Sequence, residues 1–186
     1  MNGLALSGGF VDGPIQSAQA FRQIMTAMAR PGEILDVSGA APPAPLSIAA
    51  GTILLTLCDP ETPLFLAPGF DIDPVRDWIT FHTGAPFASA GDAQFAVGVW
   101  KDLPIASFPI GTAEYPDRST TLIVEVEELR AQGFVLRGPG IKNSRTLSLP
   151  ETEVFVTNAQ LFPLGLDFYF THGNRLAALP RTTKVS

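Results

Sequence analysis

The stretch Arg137-Gly-Pro-Gly140, with Lys142 and Arg145 just beyond it, is the part of this chain best suited to chemistry on an anion. Gly138 and Gly140 let backbone N–H groups approach a ligand, and neighbouring cations favour a phosphate, a phosphonate or an acidic protein surface. Pro139 carries no N–H, however, and the Gly-Lys-Ser/Thr ending of phosphate loops is missing. The plainer reading, a tight turn between strands with its arginines paired to acidic residues or to a partner chain, is preferred. Arg30 and Arg181 each flank a proline. They can clamp an anion, or lock the domain by bonding backbone carbonyls, and the second reading is preferred for both.

Other side chains offer less. His82, expected at a strand end, is of the residue type most used as a general base but has no carboxylate close in sequence, so a hydrogen-bonded structural role is the simpler expectation. His172, before Gly173-Asn174, is expected in an exposed turn. Cys58 is the single cysteine and reads as a small hydrophobe on a helix rather than a nucleophile. Ser7-Gly8-Gly9 lacks the Gly-x-Ser-x-Gly pattern of a nucleophile elbow. With two histidines and one thiol, no transition-metal site is expected.

Charge sets a further bound. Residues 129–150 contain no carboxylate, although the 186-residue chain has a net charge of -6. Residues 1–128 hold 15 acidic and 5 basic side chains, a net of -10, whereas residues 129–186 hold 3 and 7, a net of +4. An acidic pI near 4.8 argues against general nucleic-acid binding, which needs a broad cationic face. A local anion site or a basic contact on an acidic partner is compatible with it. Charged residues make up only 16% of the chain against 46% hydrophobic, which fits either a sheet buried on both faces or an apolar contact with another subunit.

No charged leader precedes an apolar stretch, and Pro42, Pro43 and Pro45 break the uncharged run from Ala40 to Cys58. A soluble cytoplasmic protein with no membrane contact is therefore expected.

These side chains must be positioned by a fold of alternating strands and helices. The pattern predicts an N-terminal arm over residues 1–16 and one α/β domain over residues 17–186. Phe21, Ile24, Met25 and Met28 recur at helical spacing, with Ser17 as the expected cap and Arg30-Pro31-Gly32 as the stop. Glu33–Val37, Pro63–Ala67, Ala93–Trp100, Thr120–Val126, Phe134–Leu136 and Asp167–Thr171 read as strands. Helices are expected over Pro45–Cys58, from Asp73 to Trp78 or Ile79, and from Pro150. Alternation of this kind gives a three-layer α/β/α domain with a mixed central sheet.

Four motifs then align with a known family: Phe21-Arg-Gln-Ile-Met-Thr-Ala-Met-Ala-Arg-Pro-Gly32, Leu136-Arg-Gly-Pro-Gly-Ile141, Phe162-Pro-Leu-Gly-Leu-Asp167 and Leu179-Pro-Arg-Thr-Thr183. With Phe81-His-Thr-Gly84 and Tyr115-Pro116, they resemble the PhnH family of the bacterial carbon–phosphorus lyase machinery, in consistent order from about residue 17 to residue 183. The resemblance implies a fold similar to the large domain of pyridoxal-phosphate-dependent transferases, a homodimer, and a core complex with three partner subunits. It implies that the complex joins ATP and an alkylphosphonate into a ribose 1-phosphonate 5-triphosphate. It supplies no catalytic residue for this subunit.

Pyridoxal phosphate itself is not expected, because Lys101, Lys142 and Lys184 are the only lysines and none has a recognisable cofactor context. The reading is an assembly subunit without cofactor or metal. The rival is a stand-alone phosphate-handling transferase that binds its anion at Arg137, Gly138 and Gly140, with His82 as base.

Overall fold

The computed structural model describes residues 7–186. The chain runs through α1 (Gly13–Ala29), β1 (Leu35–Asp36), α2 (Ile48–Leu57), β2 (Leu64–Leu66), α3 (Asp73–His82), β3 (Phe95–Val99) and β4 (Thr121–Glu125). It continues through β5 (Phe134–Arg137), β6 (Arg145–Leu147), α4 (Glu153–Gln160), β7 (Asp167–His172), β8 (Arg175–Leu179) and β9 (Lys184–Val185). Six strands form one sheet in the order β1-β8-β7-β4-β3-β2. Strands β2, β3, β4 and β7 are parallel, and β8 returns antiparallel beside β7, so the sheet is mixed as expected.

Side-chain alternation on β7 shows how the sheet is covered. Phe168 and Phe170 point one way, where Phe155 of α4 meets them edge-on at 5.1 and 5.9 Å between ring centroids. Tyr169 points the other way and donates its hydroxyl hydrogen to the Ile24 carbonyl of α1 at 3.4 Å. Helices α1 and α2 pack on each other and on β7 and β8. They therefore cover one face and α4 the opposite one. Helix α2 buries Ala49 to Leu54 completely, which fits its uncharged sequence, and Ser47 caps it by accepting from Ala50 N–H at 3.1 Å.

Several expectations need correction. Helix α1 begins at Gly13, not Ser17, because Asp12 is its cap and Pro14 suits the first turn. The expected arm over 1–16 thus gives up residues 13–16 to the helix, while residues 1–6 lie outside the described residues. Of the four helical-period residues only Ile24 is fully buried; Ala20 and Ala27 complete the inward face, and Phe21 and Met25 stay exposed. Helix α3 continues to His82, so that residue ends a helix rather than a strand. His172 is half-buried on β7 rather than in an exposed turn, and the segment beyond it forms β8 and β9, two strands past those read from the sequence.

A second, three-stranded sheet, β6-β5-β9, joins the main domain through the end of α1. Among the described residues no helix is long and apolar enough to cross a membrane.

Candidate functional site

Strand β5 carries the Arg137 turn out of the second sheet. Leu136 is fully buried, so the next residue, Arg137, faces outward, in register with Lys184 of β9. Arg137, Lys142 and Lys184 are exposed, and within the described residues their side chains form no hydrogen bond or ion pair. They make a cationic edge.

The glycines of the turn are explained by packing. Gly140 has φ of +80°, and a Cβ there would lie 2.0 Å from the Ala29 carbonyl oxygen at the end of α1. Gly138, at φ +144°, lies close to the Thr182 carbonyl beside β9. Ile141 N–H donates to the Gly138 carbonyl at 3.2 Å and closes the turn. The loop is a joint between β5, α1 and β9.

Arg145 turns inward. One guanidinium nitrogen donates to the carbonyls of Arg30 and Pro31, both at 3.1 Å, and another lies 3.5 Å from Glu33. Arg145 thus caps the open end of α1, where carbonyls lack helical partners. Arg30 is exposed, with only a 3.8 Å pairing to Glu33. Arg181 lies under the loops at the amino ends of the parallel strands. It donates to the Pro116 carbonyl at 2.8 Å, the Pro163 carbonyl at 3.3 Å, the Ser119 hydroxyl and the Asp167 carboxylate. The structure therefore brings Arg30, Arg137, Gly138, Gly140, Lys142 and Arg145 to one side, and turns the Arg181 guanidinium toward Asp167, Ser119 and the Pro116 and Pro163 loops instead. His82 does not join them: its ring lies against Trp78 and Phe81 and bonds the Ser7 carbonyl at 3.2 Å.

A second feature was not singled out in the sequence. At the carboxyl ends of β3 and β4 a cleft of about 810 Å³ opens between Phe70, Trp100, Glu125, Glu127 and Leu149. Glu125 ends β4 at its edge and accepts from Ser47 N–H at 2.7 Å. Burial raises its carboxyl pKa above the usual range, opposed by hydrogen bonds from Ser47 and Thr171 and by nearby His172. A single carboxylate closing an apolar strand reads as solvent-facing in sequence; here Ser47 at the start of α2, with Thr171 and His172 of β7, comes up against it.

The lining of the cleft can be tested against pyridoxal phosphate, the cofactor weighed from the sequence. Among the described residues Lys101 is the one cation on its lining, against Asp102, Glu125, Glu127 and Glu128. The phosphate of pyridoxal phosphate would meet four carboxylates and no arginine, so these residues do not fit it. Among the described residues, no cluster of three His, Cys, Asp or Glu side chains is arranged to hold a metal ion.

A family model described as "Bacterial phosphonate metabolism protein (PhnH)" matches residues 8–186. The chain belongs to the PhnH family. It is 42% identical over 189 residues to the "Alpha-D-ribose 1-methylphosphonate 5-triphosphate synthase subunit PhnH" of Rhizobium meliloti (strain 1021), covering 96% of this chain and 94% of that one. It is 29% identical over 175 residues to the "Putative C-P lyase subunit protein HtxG" of Stutzerimonas stutzeri, covering 90% and 84%. PhnH membership agrees with the motif order read along the sequence, which spans both the Arg137 turn and the Arg181 segment.

Proposed function

We propose that this protein is a subunit of an assembly that makes a ribose 1-alkylphosphonate 5-triphosphate in phosphonate catabolism, and that it works by assembly rather than by bond-making. The observation that carries the reading is near full-length similarity, at 42% identity, to a protein named as a subunit of such a synthase. The side chains support it. Arg145 and Arg181 are engaged with the chain's own backbone, and His82 stands away from the cations, so no base and anion clamp come together. The exposed edge formed by Arg137, Lys142 and Lys184 suits an acidic patch on another subunit.

Self-association as a homodimer belongs to the same proposal. Phe21 and Met25 of α1 are 48% and 46% exposed and lie one turn apart, an apolar stripe suited to a second helix.

Purified alone, the protein should leave ATP and methylphosphonate unchanged over hours. Added to the remaining subunits, it should restore formation of the triphosphate product. Turnover by the isolated protein would overturn the assembly reading. A sedimenting species of twice 19.8 kDa, shifted to half that mass by Phe21→Glu with Met25→Glu, is expected. A wild-type monomer at micromolar concentration would remove the dimer from the proposal.

A further inference from the structure

We propose that the cleft at the carboxyl ends of β3 and β4 is a binding site for a small organic cation, an ammonium carried on an apolar stem. The inference stands on the cleft alone and does not depend on the assembly role.

Four observations meet there. The position is the first: in open α/β sheets, ligands enter at the carboxyl ends of parallel strands, where loops diverge and backbone groups point outward. The size is the second, since this open cleft of about 810 Å³ offers far more room than one lysine side chain fills. The third is the wall. Phe70, Val99, Leu149 and one side of Trp100 give an apolar surface, and Trp100 is held by Phe155 at 5.0 Å and by Glu151, which accepts from its indole N–H at 3.2 Å. A fixed aromatic wall costs a ligand little ordering entropy.

Charge is the fourth and selects the ligand. Glu128 is paired with Arg130 at 2.6 Å, and Glu125 is held by Ser47, but Asp102 and Glu127 have no cationic partner among the described residues. Carboxylates around a low-dielectric wall focus a negative potential into the cleft. That field repels phosphates and phosphonates and attracts an ammonium, whose donors Glu125 can accept at the inner end. The cationic edge at Arg137 and this acidic cleft therefore sort ligands of opposite sign.

Calorimetric titration of the full chain with 2-phenylethylammonium chloride tests the proposal, with 2-phenylethanol and methylphosphonate as controls. Saturable binding with Kd on the order of 1 mM is expected for the amine, with neither control saturating. Glu125→Gln should weaken the amine at least about 5-fold. Asp102→Asn with Glu127→Gln, both at exposed positions, should weaken it about 3-fold and keeps the test open if the buried variant misfolds. No saturation by the amine, equal binding of the alcohol, or unchanged affinity in both variants would overturn it. Loss of partner-subunit binding in the same variants, with no amine response in the wild type, would assign the cleft to a protein side chain and overturn it equally.

Discussion

Arg181 and Asp167 lock the amino end of β7: the Arg181 backbone N–H reaches Asp167 Oδ1 at 2.8 Å, and its guanidinium reaches Oδ1 at 3.2 Å and Oδ2 at 2.5 Å. Both side chains are largely buried, at 11% and 21% exposed. The same guanidinium fastens the Pro116 and Pro163 loops. Removing it leaves the largely buried Asp167 carboxylate without its cation, still bonded to the backbone N–H of residue 181, and takes the guanidinium donor from the Pro116 and Pro163 carbonyls. Arg181→Ala should therefore cost about 3–5 kcal/mol in denaturant unfolding. Arg181→Lys should recover less than half, because an ammonium cannot span the fork. A loss under about 1 kcal/mol for the alanine variant would refute this role.

Gly140→Ala tests whether the Arg137 turn is a joint. The added methyl would meet the Ala29 carbonyl at 2.0 Å, from backbone at φ +80° that L-residues rarely adopt. Neither atom can retreat without moving α1 or β5. A loss of about 2–3 kcal/mol is expected, in contrast to Gly13→Ala, whose Cβ would meet nothing within 4 Å. Equal stability of the two variants in urea would show that the turn is not packed against α1.

The sequence was most legible where the sheet is most buried. Phe95–Val99 and Thr121–Glu125 are rich in β-branched and aromatic residues and lie inside the sheet, so intrinsic preference and burial agree. Arg175-Leu-Ala-Ala-Leu179 escaped notice because alanine is a weak strand former; it is a strand through pairing with β7 and β1. Arg145–Leu147 is too short to signal alone and exists through β5. The basic residues were readable, but not their division: the inward turn of Arg145 depends on α1 ending beside β6, a contact over a hundred residues apart in sequence.

That division predicts a contrast in salt dependence. Arg137→Ala with Lys142→Ala should reduce association with partner subunits several-fold at low ionic strength and leave folding stability within about 0.5 kcal/mol. The deficit should shrink near 1 M salt, where exposed charges are screened within about 3 Å. Arg145→Ala should instead lower stability by about 1–3 kcal/mol through the orphaned Pro31 carbonyl, while the Arg30 carbonyl keeps its bond from Glu33 N–H. A pull-down at two salt concentrations, with melting curves beside it, separates the cases. Identical behaviour of both variants would erase the distinction.

Cys58 caps the end of α2 and is buried, which together with the charge of Asp59 pushes its thiol up to about 12. At pH 8 only about one thiol in 10,000 would be ionised. Alkylation by iodoacetamide should therefore track opening of the native state and accelerate at least about 100-fold in denaturing urea. Complete labelling within minutes in native buffer would mean that the α2 terminus opens far more readily than its packing implies.

Glu125 gives the pH dependence its direction. Burial raises its folded pKa above the unfolded value, against the opposing bonds from Ser47 and Thr171 and the charge of His172. A carboxyl of this kind holds its proton more tightly in the native state. Its contribution to stability is full below the unfolded pKa and is lost as pH rises through the folded one. Glu125→Gln removes the ionisation while keeping an oxygen to accept from Ser47 N–H. The variant should therefore melt higher than wild type at pH 7, and the gap should close as pH falls toward 4 and below. Melting curves across that interval decide the matter: a gap that does not change with pH, or a variant less stable at pH 7, would show that the carboxylate is held by its partners more strongly than burial opposes it.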